Sequence, residues 1–226
     1  SGGAHSRLLQ PSLSVAHYNA LLFNGEEQTY EKRYQKYRAS LWWSDNRKAA
    51  YRAILPRWGY ALRADVTGAF QSRFGTQYSV YARAYLPGIL PHHTTTLRVG
   101  ASYQNGTQWN FKQKPIFPRG VDNDFPAKRY IGWSADYTFP ILYPDGGINS
   151  IVYFKRIWLN LFGDYGTGDY FASNGRTVPL NHYSYGGDIA FDVNVLGSEL
   201  PVTVKLTLAK PSDDKIFVGF GFTMNF

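Results

Sequence analysis

Cysteine is absent from the 226 residues, methionine occurs once, and charged residues make up only 18%. The lack of cysteine removes any disulfide framework and suits an oxidising compartment, where a stray thiol would be a liability. No stretch approaches the roughly 18 consecutive apolar residues that a membrane helix needs. That excludes insertion as helices but leaves barrels open, because a barrel strand shows lipid only its alternate residues. The opening Ser1-Gly2-Gly3-Ala4-His5 lacks the apolar core and cleavage pattern of a signal peptide, so a secreted protein must have lost one or been cut from a longer chain.

What is present in quantity is aromatic residues and glycine: 18 Tyr, 15 Phe, 6 Trp and 22 Gly. This mixture favours strands and tight turns over helices. The net charge of +8 comes from basic residues scattered along the chain, not gathered in blocks. Nucleic-acid binding is therefore not expected, and a wet basic lumen or contact with lipid phosphates is preferred.

Alternation with period two carries the fold reading. From the C-terminus, Ile216, Val218, Phe220, Phe222, Met224 and Phe226 share one face, and Gly219, Gly221, Thr223 and Asn225 the other. The preceding strand sets Val202, Val204, Leu206 and Leu208 against Thr203, Lys205 and Thr207, with a turn at Pro211-Ser212-Asp213-Asp214. Similar strands are expected at 183–195, 151–165 and 130–141, and upstream near 94–105, 76–86, 59–70, 47–55, 28–43 and 7–22. The total is about eleven antiparallel strands. If Phe226 lies at the periplasmic rim, short turns fall on that side at 23–27, 56–58, 87–93, 142–150 and 197–199. The longest loops, 106–129 and 166–181, then fall outside, which is the asymmetry of outer-membrane barrels.

Alternation alone does not say which face points outward, and a soluble barrel with an oily interior is the competing reading. Eleven or more strands enclose a space too wide for side chains to fill, so a charged, wet lining is expected. Aromatics also cluster near strand ends, at Trp42-Trp43, Trp58-Tyr60 and Tyr137 to Tyr143, where interfacial girdles sit. The expected fold is an all-β, antiparallel transmembrane β-barrel filling residues 1–226, located in the bacterial outer membrane and in contact with its lipids, lipopolysaccharide included.

Three motifs follow one another: Phe117-Pro118-Arg119-Gly120-Val121 in a long loop, Tyr137-Thr138-Phe139-Pro140-Ile141 at the end of a strand, and Phe162-Gly163-Asp164-Tyr165-Gly166 in the next. In order and spacing, with five strands after the loop and a terminal Phe, residues 94–226 resemble the BamA/TamA superfamily of outer-membrane assembly factors, the bacterial surface antigen family. The resemblance implies that Arg119, with Gly120, enters the barrel and pairs with Asp164 of the Phe-x-Asp-x-Gly motif formed by Phe162, Asp164 and Gly166. Asp136, inward on the adjoining strand, is a second acceptor, and a guanidinium drawn into a lumen needs such carboxylates. The last strand, with Phe220, Phe222, Met224 and Phe226, resembles the β-signal that assembly machinery reads in its clients. The resemblance further implies client outer-membrane or secreted polypeptides as partners, with periplasmic domains or accessory lipoproteins alongside.

Catalytic readings fare poorly. Gly132-Trp133-Ser134-Ala135-Asp136 nearly matches a nucleophile elbow but lacks the second glycine and lies in an alternating strand. His92-His93 has no nearby third ligand, so no metal and no cofactor is expected. Two functions remain: an assembly or translocation barrel that inserts or moves polypeptides, and a passive channel or anchoring barrel of the same fold. An odd strand count is unusual in bacterial single-chain barrels. It is read as the C-terminal part of a sixteen-stranded barrel whose first strands are missing, the other possibility being one misread strand before residue 45.

Overall fold

The computed structural model describes residues 5–18, 22–24, 29–31, 34–47, 53–70, 75–105, 111–122, 126–148, 152–171, 176–195, 201–213 and 215–224. They form strands β1 (His5–Tyr18), β2 (Leu22–Asn24), β3 (Thr29–Glu31), β4 (Tyr34–Arg47), β5 (Gly59–Ala69), β6 (Gln77–Pro87) and β7 (Thr94–Gln104). After a long connection come β8 (Ala127–Leu142), β9 (Gly146–Ile148), β10 (Val152–Phe171), β11 (Thr177–Val195), β12 (Pro201–Pro211) and β13 (Phe217–Met224). Among the described residues there is no helix long and apolar enough to cross a membrane.

Eleven strands make one antiparallel sheet, ordered β1-β4-β5-β6-β7-β8-β10-β11-β12-β13, with the short β9 paired to the start of β10. β2 and β3 form a separate two-stranded ribbon. The number matches the expectation from alternation, but the eleventh strand is β9 and not a strand at 47–55. Residues 53–58 are not strand, and 48–52 lie outside the described residues. The reason is visible at Ala53, whose carbonyl accepts a 2.9 Å hydrogen bond from Arg156 Nη1 of β10, so this apolar stretch folds over the sheet without pairing into it.

Two further expectations are corrected. With ten strands along the pairing path, the start of β1 and the end of β13 lie at the same end of the sheet, so the parity argument for missing strands falls away. The passage from β1 to β4 accordingly leaves the sheet at the opposite end from 56–58, and residues 25–27 of the expected turn lie outside the described residues. Residues 166–171 and 177–181 are strand and not loop: β10 and β11 stay in register to Phe171 opposite Thr177, with 172–175 outside the described residues. A Cβ at Gly168 would collide with the Arg129 carbonyl of β8, and one at Gly166 with the Tyr130 hydroxyl. These glycines mark close backbone approach inside a strand.

The two faces of the sheet differ sharply. Leu9, Trp43, Leu62, Ala82, Val99, Trp133, Tyr165 and Tyr183 form one register row from β1 to β11. The large apolar members of this face are exposed, with Trp133 at 48% and Phe220 of β13 at 74%. On the other face Ser44, Asp65, Thr96, Ser134, Asp136, Asn160, Asp164, Asp188 and Asp192 are buried. This inverts the pattern of a water-soluble sheet. Part of the cover on the polar face is the connection between β7 and β8, whose residues 111–122 run across it.

Candidate functional site

A row of glycines gives the connecting loop its path. Gly100 of β7, Gly132 of β8 and Gly166 of β10 are direct register partners and share the polar face. A Cβ at Gly100 would lie 2.8 Å from Pro115, one at Gly132 would lie 2.6 Å from the Ile116 carbonyl, and one at Gly166 would strike the Tyr130 hydroxyl and lie 3.2 Å from Pro118. The strands are thus bare where the loop crosses them. Its entry is tied by Gln104, whose side-chain amide accepts from Phe111 N at 2.8 Å and donates to Phe111 O at 3.0 Å. Gln77 Nε2 donates to Gln113 O at 2.7 Å. Further along, the Phe117 ring lies 5.6 Å from the Tyr130 ring and 5.9 Å from the His182 ring.

The loop delivers Arg119 to a nest of carboxylates. Asp164 receives three bonds from it: Nε at 2.8 Å, Nη2 at 2.9 Å and the backbone N–H at 3.1 Å. Nη2 also donates to Asp136 at 2.9 Å, while Nη1 stands 3.6 Å from Asp188. The guanidinium carbon lies 3.5 Å from the centroid of the Phe162 ring, which forms a floor beneath it. Phe162 itself lies against Gly186, its register partner on β11. Gly120 follows with φ of +81°, a left-handed conformation natural to glycine, and a Cβ there would lie 2.7 Å from Phe217 of β13.

The carboxylates are held from behind. Ser134 Oγ lies 2.6 Å from Asp164 and 3.0 Å from Asp136, and Ser184 Oγ donates to Asp164 at 3.2 Å. Asn160 Nδ2 donates to Asp136 at 2.9 Å and Asp188 at 3.0 Å, and Thr207 Oγ1 donates to Asp188 at 2.6 Å. Arg98 of β7 also donates to Asp136, and Lys205 of β12 stands 3.9 Å from Asp188. Three cations, Arg119, Arg98 and Lys205, therefore face three buried carboxylates. Buried charges that are paired and multiply hydrogen-bonded are the kind a folded chain tolerates.

No protein-family model matches the chain, and no curated protein matches it. The site is therefore read from its own geometry.

Of the residues singled out from sequence, Arg119, Gly120, Phe162, Asp164, Asp136 and Gly166 converge here. Within the Phe162-x-Asp164-x-Gly166 run, alternate residues supply ring, acceptor and gap on one face. Phe220 and Phe222 lie far along the pairing order, exposed on the opposite face of the edge strand β13. Met224 ends that strand, and Phe226 lies outside the described residues. Sequence reasoning missed the participation of Asp188, Ser134 and Arg98, and it missed the glycine row. The signal for the row was there, since Gly100, Gly132 and Gly166 each fall at polar-face parity of successive strands. Ser134 sits mid-strand in β8 with its hydroxyl committed to carboxylates. His93 Nδ1 lies 2.8 Å from the Tyr137 hydroxyl. Among the described residues no group of three or more His, Cys, Asp or Glu is placed to hold a metal ion.

Proposed function

We propose that the chain forms wall strands of a transmembrane β-barrel in the bacterial outer membrane, and that this barrel belongs to an assembly or translocation factor of the BamA/TamA type. The observation that carries the reading is Arg119, set by its loop into three carboxylates on the polar face of a sheet whose other face is apolar and exposed. A contiguous exposed apolar surface on this scale calls for a lipid or protein partner, and alternation of apolar-out with polar-in is the barrel pattern. Trp43 and Tyr60, packed edge to face at 5.3 Å near one end of the sheet, fit an interfacial aromatic belt. In this reading the polar face lines a water-filled lumen, and the loop folds into it.

The pairing path also supports polypeptide handling. β1 and β13 end the order, each with one paired neighbour among the described residues, and an unpaired strand edge can add a client strand through backbone hydrogen bonds. The barrel would sit among outer-membrane lipids, with client polypeptides as its substrates and no chemistry of its own.

Reconstitution tests this directly. The wild-type barrel, placed in liposomes with an unfolded outer-membrane client, should accelerate client insertion, and Arg119→Ala should lose most of that acceleration. Unchanged insertion by the variant would sink the mechanism. A passive channel is the second reading, favoured by how completely the Arg119 contacts are satisfied, since so fixed a loop also serves as a permanent constriction. Large steady single-channel conductance, with no insertion activity, would establish that reading instead.

A further inference from the structure

Beside the satisfied cluster, the polar face holds a cavity of about 240 Å³ whose wall includes Arg83, Tyr85, Thr96, Arg98, Trp158 and Lys205. Three polar atoms of this wall are buried without a hydrogen-bond partner: Arg83 Nε, Arg98 Nε and Thr96 Oγ1. Buried polar groups in folded proteins are nearly always paired, so three such atoms in neighbouring residues of β6 and β7 set this part of the polar face apart.

The charges make the case sharper. Arg83 of β6 and Arg98 of β7 are direct register partners, and like charges directly opposite on adjacent strands repel. Arg98 is partly compensated, because its Nη2 reaches Asp136 and, at 3.0 Å, Ser134. Arg83 has no carboxylate among the described residues. Its guanidinium lies over the Tyr85 ring at 4.8 Å and near the Trp42 ring at 5.8 Å, which fixes it in place without neutralising it. The cavity wall as a whole carries four cations, Arg83, Arg98, Arg119 and Lys205, against Asp136 and Asp188. Water in the cavity would leave the two guanidinium charges opposed.

We propose that Arg83 and Arg98 hold an oxyanion, a phosphate or carboxylate group, in this cavity. Such a group would accept from the guanidinium N–H groups that both arginines present to the cavity, and its charge relieves the cross-strand repulsion. Guanidinium groups suit this task because their planar N–H edges match oxyanion geometry. The Tyr85 and Trp158 rings would flank whatever carries the anion. The site shares Arg119 and Asp136 in its wall with the satisfied cluster beside it, but anion binding there requires neither insertion activity nor a closed sheet.

Calorimetric titration of the folded full chain in non-ionic detergent, with inorganic phosphate in one arm and acetate in the other, tests it at matched ionic strength against chloride. Saturable binding with a Kd below about 1 mM is expected in at least one arm, and the arm that binds tells phosphate from carboxylate. Arg83→Gln should weaken binding at least tenfold, with Arg83→Lys in between. Thermal melting of the wild type alone supplies a second readout, with the bound anion raising Tm above its value in chloride. No saturable heat in either arm, unchanged affinity in Arg83→Gln, or equal Tm in probe and chloride would each overturn the proposal.

Discussion

The polar face has two halves that solve the same electrostatic problem differently. From β8 to β12 it is acidic, with Asp136, Asp164, Asp188 and Asp192 buried in a row of strands. From β4 to β7 it is basic, with Arg38, Arg63, Arg83 and Arg98 answered by Asp65 and a share of Asp136. The acidic half is completed from within the chain: the loop brings Arg119, and hydroxyls and amides fill the remaining acceptor positions. In the basic half Arg83 has no carboxylate partner among the described residues, although buried atoms without a hydrogen-bond partner occur in both halves, Arg83 Nε in one and the Tyr130 hydroxyl in the other. A chain can import a compensating charge on a loop, and where it does not, the anion proposed above would supply one.

The largest effect should come from removing the imported charge. Arg119→Ala leaves three buried carboxylates without their shared cation, and breaking a buried pair from one side costs about 3–5 kcal/mol. The urea midpoint for unfolding should fall accordingly, whereas Arg119→Lys should recover only part, since an ammonium lacks the two-pronged edge that meets Asp164. Equal stability of Arg119→Ala and wild type would mean that the acidic half is compensated by solvent, and the contrast between the halves would collapse.

Blocking the loop's seat should rank next. Gly132→Val puts side-chain atoms where the Ile116 carbonyl lies, and overpacking of this kind costs about 1–3 kcal/mol. Its distinctive readout is faster proteolysis within 111–122, with the strands still protected. Ser134→Ala should cost about 1–2 kcal/mol by taking a hydroxyl from two carboxylates, measured by the same urea titration. Asp188→Asn should change least, by under about 1 kcal/mol. Its 3.6 Å approach to Arg119 is too long for a hydrogen bond, and Asn can still accept from Thr207, losing only the bond from Asn160, whose amide keeps Asp136. A larger loss there would move Asp188 from the margin of the cluster to its centre.

Much of this arrangement is legible along the chain. Period two placed Arg156, Asn160 and Asp164 on one side of β10 and Asp136 on the matching side of β8, so the meeting of Arg119 with Asp164 and Asp136 needed only the loop to fold inward. Alternation was less informative at 47–55, where Arg47 ends β4, 48–52 lie outside the described residues, and 53–55 are not strand. Whether Ala53 joins a ladder or offers its carbonyl to Arg156 depends on residues a hundred positions away. The glycines at 166 and 168 carry a related ambiguity. Glycine marks a turn or a close approach alike, and only the position of Tyr130 and Arg129 on the neighbouring strand selects between them.

The sequence by itself determined that this protein is built of strands with one oily and one polar face, because side-chain alternation is a local property of extended backbone. It also determined which residues could meet on the polar face, through parity. The tertiary structure decided the register, and register is what sets Gly100, Gly132 and Gly166 in one row, Arg83 opposite Arg98, and Asp188 within reach of Arg119. Those juxtapositions come from hydrogen bonds between distant strands, which no local pattern encodes.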